Sequence, residues 1–181
     1  ALDEILTNDF WTHTLPSLLE TPRSTSPVAL AFKAAQVVLG SRALFSDVTI
    51  QQLRDSSASA TRSAAESHHI FPVSWLRRNG VDDRRLINQV ANLADVVWHD
   101  NSQISAQAPT QYVPKMRQLA SIDDERWSRS LAEHGLPPGW EGMPYKEFLR
   151  ERRSRMADII RVAYRQLGGE GEASPLAPPW F

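Results

Sequence analysis

Two histidines and a set of asparagines are the residues most able to do chemistry in this chain. Glu66-Ser67-His68-His69-Ile70-Phe71-Pro72 is followed by Ile87-Asn88-Gln89-Val90-Ala91-Asn92-Leu93 and then by Asn101. A pair of histidines among apolar neighbours usually serves as packed, hydrogen-bonded side chains; the spacing is what sets this pair apart. A histidine, an asparagine and a third polar ligand in this order suit metal-assisted phosphodiester cleavage. That reaction needs a base to take a proton from water, positive charge at the non-bridging oxygen, and stabilisation of the departing 3′ oxygen. One histidine and one divalent ion supply all three. Neighbours on a strand face opposite sides, so His68 and His69 are expected to have different roles.

The elements that must position these groups are visible around them. Ile70-Phe71-Pro72-Val73 and Leu93-Ala94-Asp95-Val96-Val97-Trp98 are short apolar runs rich in β-formers, separated by an arginine-rich loop containing Asn79-Gly80. They predict a small irregular hairpin, followed by a turn at His99-Asp100-Asn101-Ser102 and a helix. A further short helix starts at Pro109 and ends near Leu119. Upstream, Ser26-Pro27 opens a largely apolar helix that Gly40 closes. Leu2, Ile5, Leu6 and Phe10 recur at helical spacing before it, and Val48, Ile50 and Leu53 fit a short third helix. The stretch Ser56 to Ala65 reads as a connection or a weak helix. Downstream, Ser121-Ile122-Asp123-Asp124 is a capping pattern for a helix over Glu125 to His134, stopped by Gly135. Pro144 opens a long helix to Gly168 whose apolar stripe includes Tyr145, Phe148, Leu149, Met156, Ile159, Ile160, Ala163 and Leu167. Arg150, Arg153, Arg161 and Arg165 lie mostly off that stripe.

Composition bounds the function. The 181 residues with 41% hydrophobic content suffice for one domain with a real core. There is no cysteine, so disulfides, thiolate nucleophiles and cysteine zinc sites are excluded, and any metal must take nitrogen and oxygen ligands. No apolar run reaches the roughly 18 residues of a membrane span, and the N-terminus lacks a signal-peptide pattern, so a cytoplasmic protein is expected. The first residue is not methionine, which suggests a piece of a longer chain. A net charge of −1 gives no global attraction to DNA, so contact with phosphates needs local segregation. Residues 1–60 carry four basic residues against six acidic ones, whereas Arg77, Arg78, Arg84 and Arg85 flank the histidine motif. Those four arginines are the candidate DNA contacts, with a solvated basic face as the competing reading.

On His68-His69-Ile70-Phe71-Pro72, Trp75-Leu76-Arg77-Arg78-Asn79-Gly80, Ile87-Asn88-Gln89-Val90-Ala91-Asn92-Leu93, and Asn101-Ser102-Gln103-Ile104-Ser105 with Pro109 and Tyr112, the chain resembles the HNH, or ββα-metal, endonuclease domain at the C-terminal end of GmrSD-like and SspE-like restriction proteins. The likeness covers residues 68–113; Ala34 to Val37 and Ala43 to Ser46 resemble the helical lead-in of the same proteins more loosely. It implies His69 as general base and His68 as a metal ligand standing where many relatives have aspartate. It further implies Asn101 as the other protein ligand, and Asn92 as the middle asparagine that holds the loop and orients the base. Asn92 follows His69 by 23 positions and Asn101 follows Asn92 by 9, which suits such a hairpin. Bland readings stand beside these. Glu66 or His99 could approach the ion in place of His68, Asn92 could simply brace a turn, and Asn101 could be an ordinary N-cap.

The implied cofactor is one divalent ion, with magnesium the cellular expectation and manganese, nickel or zinc suited to a His/Asn ligand set. The implied activity is a DNA endonuclease or nickase, the effector of an anti-phage restriction protein, with an SspE-like role favoured over a GmrSD-like one. RNA cleavage stays open. An N-terminal regulatory nucleotide-binding domain, which relatives carry, is missing from this sequence and is an expected partner alongside DNA; no membrane partner is expected. The alternative reading is a non-catalytic nucleic-acid-binding module. The expected fold is mainly α-helical (α+β), a single domain over residues 1–169. It comprises a helical platform (1–60), a ββα-metal core (66–119) and C-terminal helices (121–168), with a flexible tail at 170–181.

Overall fold

The computed structural model describes residues 5–54, 66–97, 104 and 106–168. The protein is mainly helical with one two-stranded antiparallel sheet. A π-helical turn (Phe10–Thr14) runs into helix α1 (Leu15–Leu18), followed by α2 (Pro27–Val38) and α3 (Ile50–Arg54). Strand β1 (Glu66–His69) leads to α4 (Val73–Arg78), α5 (Arg84–Ile87) and a 3₁₀ turn (Val90–Asn92), which delivers the chain into β2 (Leu93–Val96). The C-terminal part is α6 (Pro109–Leu119), α7 (Asp124–His134), a 3₁₀ turn (Trp140–Gly142) and the long α8 (Tyr145–Gly168). Among the described residues no helix is long and apolar enough to cross a membrane.

Helix ends follow local chemistry. The Ser26 hydroxyl accepts from Ala29 N at 3.3 Å, and Pro27 occupies the first turn of α2, where its missing N–H costs nothing. At α7 the cap is Asp123, whose carboxylate accepts from Arg126 N at 2.7 Å, rather than the Ser121 of the expected pattern. Gly135 closes that helix at φ 61°, a left-handed conformation that glycine adopts without a Cβ penalty. Helix α8 lies along α1 and α2 and also meets the turn that precedes β2. Its buried face holds Tyr145, Phe148, Leu149, Met156, Ala157, Ile159 and Ala163.

The hairpin is anchored by Ile70 and Phe71, both fully buried. The Phe71 ring sits 4.8 Å from Phe148, 5.2 Å from Tyr145, 5.6 Å from Trp75 and 5.7 Å from Trp140. Burial of such a ring stabilises by roughly 2–3 kcal/mol. This packing corrects the expected strand around Ile70–Val73: the strand ends at His69 and Val73 opens a helix. Consecutive buried residues do not fit the alternation of a half-exposed strand, and Pro72 has no N–H for a ladder. The arginine-rich loop is likewise two short helices, with Asp83 capping the second through Arg85 N at 2.8 Å. Residues 41–45 add an edge that the sequence did not suggest. Leu44 N donates to Asp95 O at 3.0 Å, with a parallel bridge to Val96. The expected connection at Ser56 to Ala65, the turn at His99 to Ser102 and the tail at 170–181 lie outside the described residues.

Candidate functional site

Strand register decides what each histidine faces. His68 pairs with Ala94 and His69 with Leu93, so alternation sends the two imidazoles to opposite faces. His68 is buried and His69 only half-buried, and the division of labour expected from their adjacency is therefore available. His69 stands at the last residue of β1, where the chain leaves the ladder and turns towards α4. Its Nε2 lies 2.9 Å from Asn88 Oδ1. An amide oxygen only accepts, so this contact places the proton on Nε2 and leaves the Nδ1 lone pair as the basic site.

Asn92 is completely buried and holds the loop from three directions. Its Oδ1 accepts from Phe71 N at 2.8 Å; its Nδ2 donates to Phe71 O at 3.1 Å and to Ile87 O at 2.9 Å. Its own carbonyl accepts from Ile70 N at 2.8 Å. The segment just after His69 is thereby stitched to the segment just before Asn88. Asn92 has no hydrogen bond to His69 among those of the described residues; it ties together the backbone on either side of the His69–Asn88 contact. Tyr112 adds a further tie by donating to Ile70 O at 2.7 Å.

No family model, curated protein or solved structure matches this chain.

The remaining candidates are placed unevenly. Asn101 and His99 lie outside the described residues, and among those described no three His, Asp or Glu side chains form a group that could hold a metal. Arg77, Arg84 and Arg85 are exposed and carry no ion pair among the described residues. Arg78 differs: its Nη2 donates to Ala106 O at 2.7 Å, tying the end of α4 to the chain that leads into α6. The carboxylate of β2 is committed as well. Asp95, almost buried on β2, accepts from Arg54 Nη2 at 2.6 Å and from Ser67 at 3.3 Å.

Sequence reasoning missed two contributors. The sequence motif gives Asn88 no role of its own, and its one signal is its position four residues before Asn92. Arg152 sits on a helix rich in arginines and has no distinguishing sequence signal, yet it is fully buried. It donates through Nη1 to Ala91 O at 2.8 Å and through Nε to His134 O at 3.2 Å, joining α8 to the turn that carries Asn92. Burial pulls its guanidinium below the ordinary arginine value, against the opposing influence of Tyr112, Asp95 and Tyr145. His134, packed nearby, is held down to about 4 by burial and then by the Arg152 cation. At neutral pH it is an uncharged imidazole whose Nε2–H donates to Arg42 O at 2.9 Å.

Proposed function

We propose that this chain is a metal-dependent endonuclease or nickase of the HNH type, acting on DNA as the effector part of an anti-phage restriction protein. The observation that carries the reading is His69 at the end of a two-stranded hairpin, its Nε2 engaged by Asn88 and its loop stitched by the buried Asn92. That arrangement suits a general base. Asn88 fixes the ring and its tautomer, and Nδ1 is left to take a proton from water as it attacks phosphorus. The Asn92 stitching keeps this geometry from drifting as the loop meets substrate.

For one divalent ion the reading takes the buried imidazole of His68, on β1, as one ligand and the amide of Asn101, outside the described residues, as the second protein ligand. When bound, the ion supplies positive charge to the scissile phosphate and to the departing 3′ oxygen. Magnesium is the proposed cellular ion, with manganese, nickel or zinc as ions that nitrogen donors accept readily. Exposed Arg77, Arg84 and Arg85 supply cations for the phosphate backbone on the loop side of the hairpin. The reading places the protein in the cytoplasm, where a restriction effector meets its DNA, under control of a nucleotide-binding domain elsewhere in the full protein.

The test is cleavage of supercoiled plasmid with magnesium, manganese, nickel or EDTA, using the chain and its His69→Ala variant side by side. Open-circular or linear product that needs metal and disappears in the variant supports the reading. Salt-sensitive DNA binding without turnover in any metal would replace it by the non-catalytic binding module.

A further inference from the structure

A cleft of roughly 580 Å³ opens beside the hairpin loop. One wall is Glu20, Pro22 and Arg23, in the turn between α1 and α2; the other is Asp83, Arg85, Leu86 and Gln89, on α5 and its flanks. The two walls are fixed to each other. Val90 N donates to Thr21 O at 2.9 Å. Gln89, almost wholly buried, accepts from Arg153 Nη1 at 2.8 Å, and Arg153 reaches Glu20 at 3.6 Å.

The charges in this cleft are unevenly committed. Of its two carboxylates, Glu20 faces Arg153 and Asp83 caps the backbone of Arg85. Its two guanidiniums, Arg23 and Arg85, are exposed and have no ion pair among the described residues, although Arg42, Arg54, Arg117, Arg126, Arg129 and Arg153 all have one. Two uncommitted guanidiniums facing one polar, open cleft suit an anion that the fork geometry of arginine can grip. The wall is continuous in sequence with the base assembly, because Gln89 follows the Asn88 that holds His69.

We propose that this cleft is a phosphate subsite for the bound nucleic-acid strand, with Arg23 and Arg85 as its guanidinium contacts, offset from the phosphate presented to His69. The inference rests on the nuclease reading for its substrate. It adds that the N-terminal helical platform, through Arg23, takes part in placing the strand. Arg84, next to Arg85 on α5, does not line the cleft and is assigned no part in it.

Each arginine–phosphate contact releases counterions and steepens the salt dependence of binding by roughly 0.9 in log K against log salt on duplex DNA. A contact that vanishes near 1 M salt is then worth about eight-fold at 0.1 M. The experiment measures binding of a fluorescein-labelled DNA duplex across a salt series, in EDTA, together with metal-dependent plasmid cleavage. It compares the unaltered chain with Arg23→Ala, Arg85→Ala, the double variant, and Lys146→Ala as an exposed-charge control on α8. The expected result is a slope reduced by about one in each single variant and about two in the double, a raised KM with kcat retained, and no change for Lys146→Ala. Wild-type slope in the double variant overturns the subsite while leaving the nuclease reading intact. Reduced slopes in a chain that never cleaves DNA keep the subsite and sink the nuclease reading. No DNA binding by the unaltered chain sinks the subsite.

Discussion

Replacing Asn92 by alanine removes an amide that satisfies three buried backbone groups at once: Phe71 N, Phe71 O and Ile87 O, at 2.8, 3.1 and 2.9 Å. Ile87 O keeps a contact to the Tyr145 hydroxyl at 3.4 Å, so Phe71 N and Phe71 O are the groups left unpaired; at about 1–3 kcal/mol each, the total for Asn92→Ala is about 2–5 kcal/mol. That is a large fraction of the 5–15 kcal/mol typical of a domain. Asn92→Asp separates hydrogen bonding from packing. It keeps the acceptor for Phe71 N but turns a second oxygen towards two carbonyls, so at neutral pH it should destabilise at least as much as alanine. A protonated carboxyl can donate and burial raises its pKa, so the deficit of Asn92→Asp relative to wild type should shrink as pH falls from that raised value towards the ordinary Asp value of about 4. Urea denaturation followed by tryptophan fluorescence and circular dichroism at several pH values measures both effects as midpoint shifts at constant slope. A loss below about 1 kcal/mol for Asn92→Ala, or a pH-independent deficit for Asn92→Asp, would refute the argument that the amide holds the loop.

Other outcomes follow from the same geometry. Asn88→Ala should lower metal-dependent cleavage about ten- to hundred-fold with folding kept, and Asn88→Asp, which retains the acceptor, should restore most of the rate; kcat and thermal midpoint measured together check this. His134 is depressed to about 4 from its ordinary value near 6.5, so the unfolded chain binds its proton first. Its contribution to stability is complete above pH 6.5 and is lost as pH falls towards 4, by about 3 kcal/mol in all. His134→Gln should flatten that part of the stability profile. Gly135→Ala places a Cβ at φ 61° and 3.3 Å from both Arg155 Cβ and Met156 N, which should cost about 2 kcal/mol and lower Tm by roughly 4–8 °C.

The longer helices were legible in the sequence because their ends are local chemistry, whereas the short α4 and α5 were not. Ser26-Pro27, Pro109, Gly135 and Pro144 mark boundaries that the structure places within a residue or two. The mainly helical class with one small antiparallel sheet followed from the same reading. What escaped depended on partners distant along the chain. The expected strand falls too late because the β-formers Ile70 and Phe71 serve the aromatic core rather than the ladder. Asn88 gains meaning from His69, 19 residues away, and Arg152 from Ala91, 61 residues away. Neither contact leaves a periodic trace. The opposite faces of His68 and His69 were legible from alternation alone, whereas the pairing of Leu44 with β2 required the fold.

The most direct measurement is the conversion of supercoiled plasmid by the purified chain in magnesium, manganese, nickel or EDTA, beside His69→Ala of matched stability. The account predicts nicked or linear product only with metal, and none from the variant. Equal cleavage by both proteins, or none by either while both bind DNA equally, would contradict His69 as the base of a nuclease.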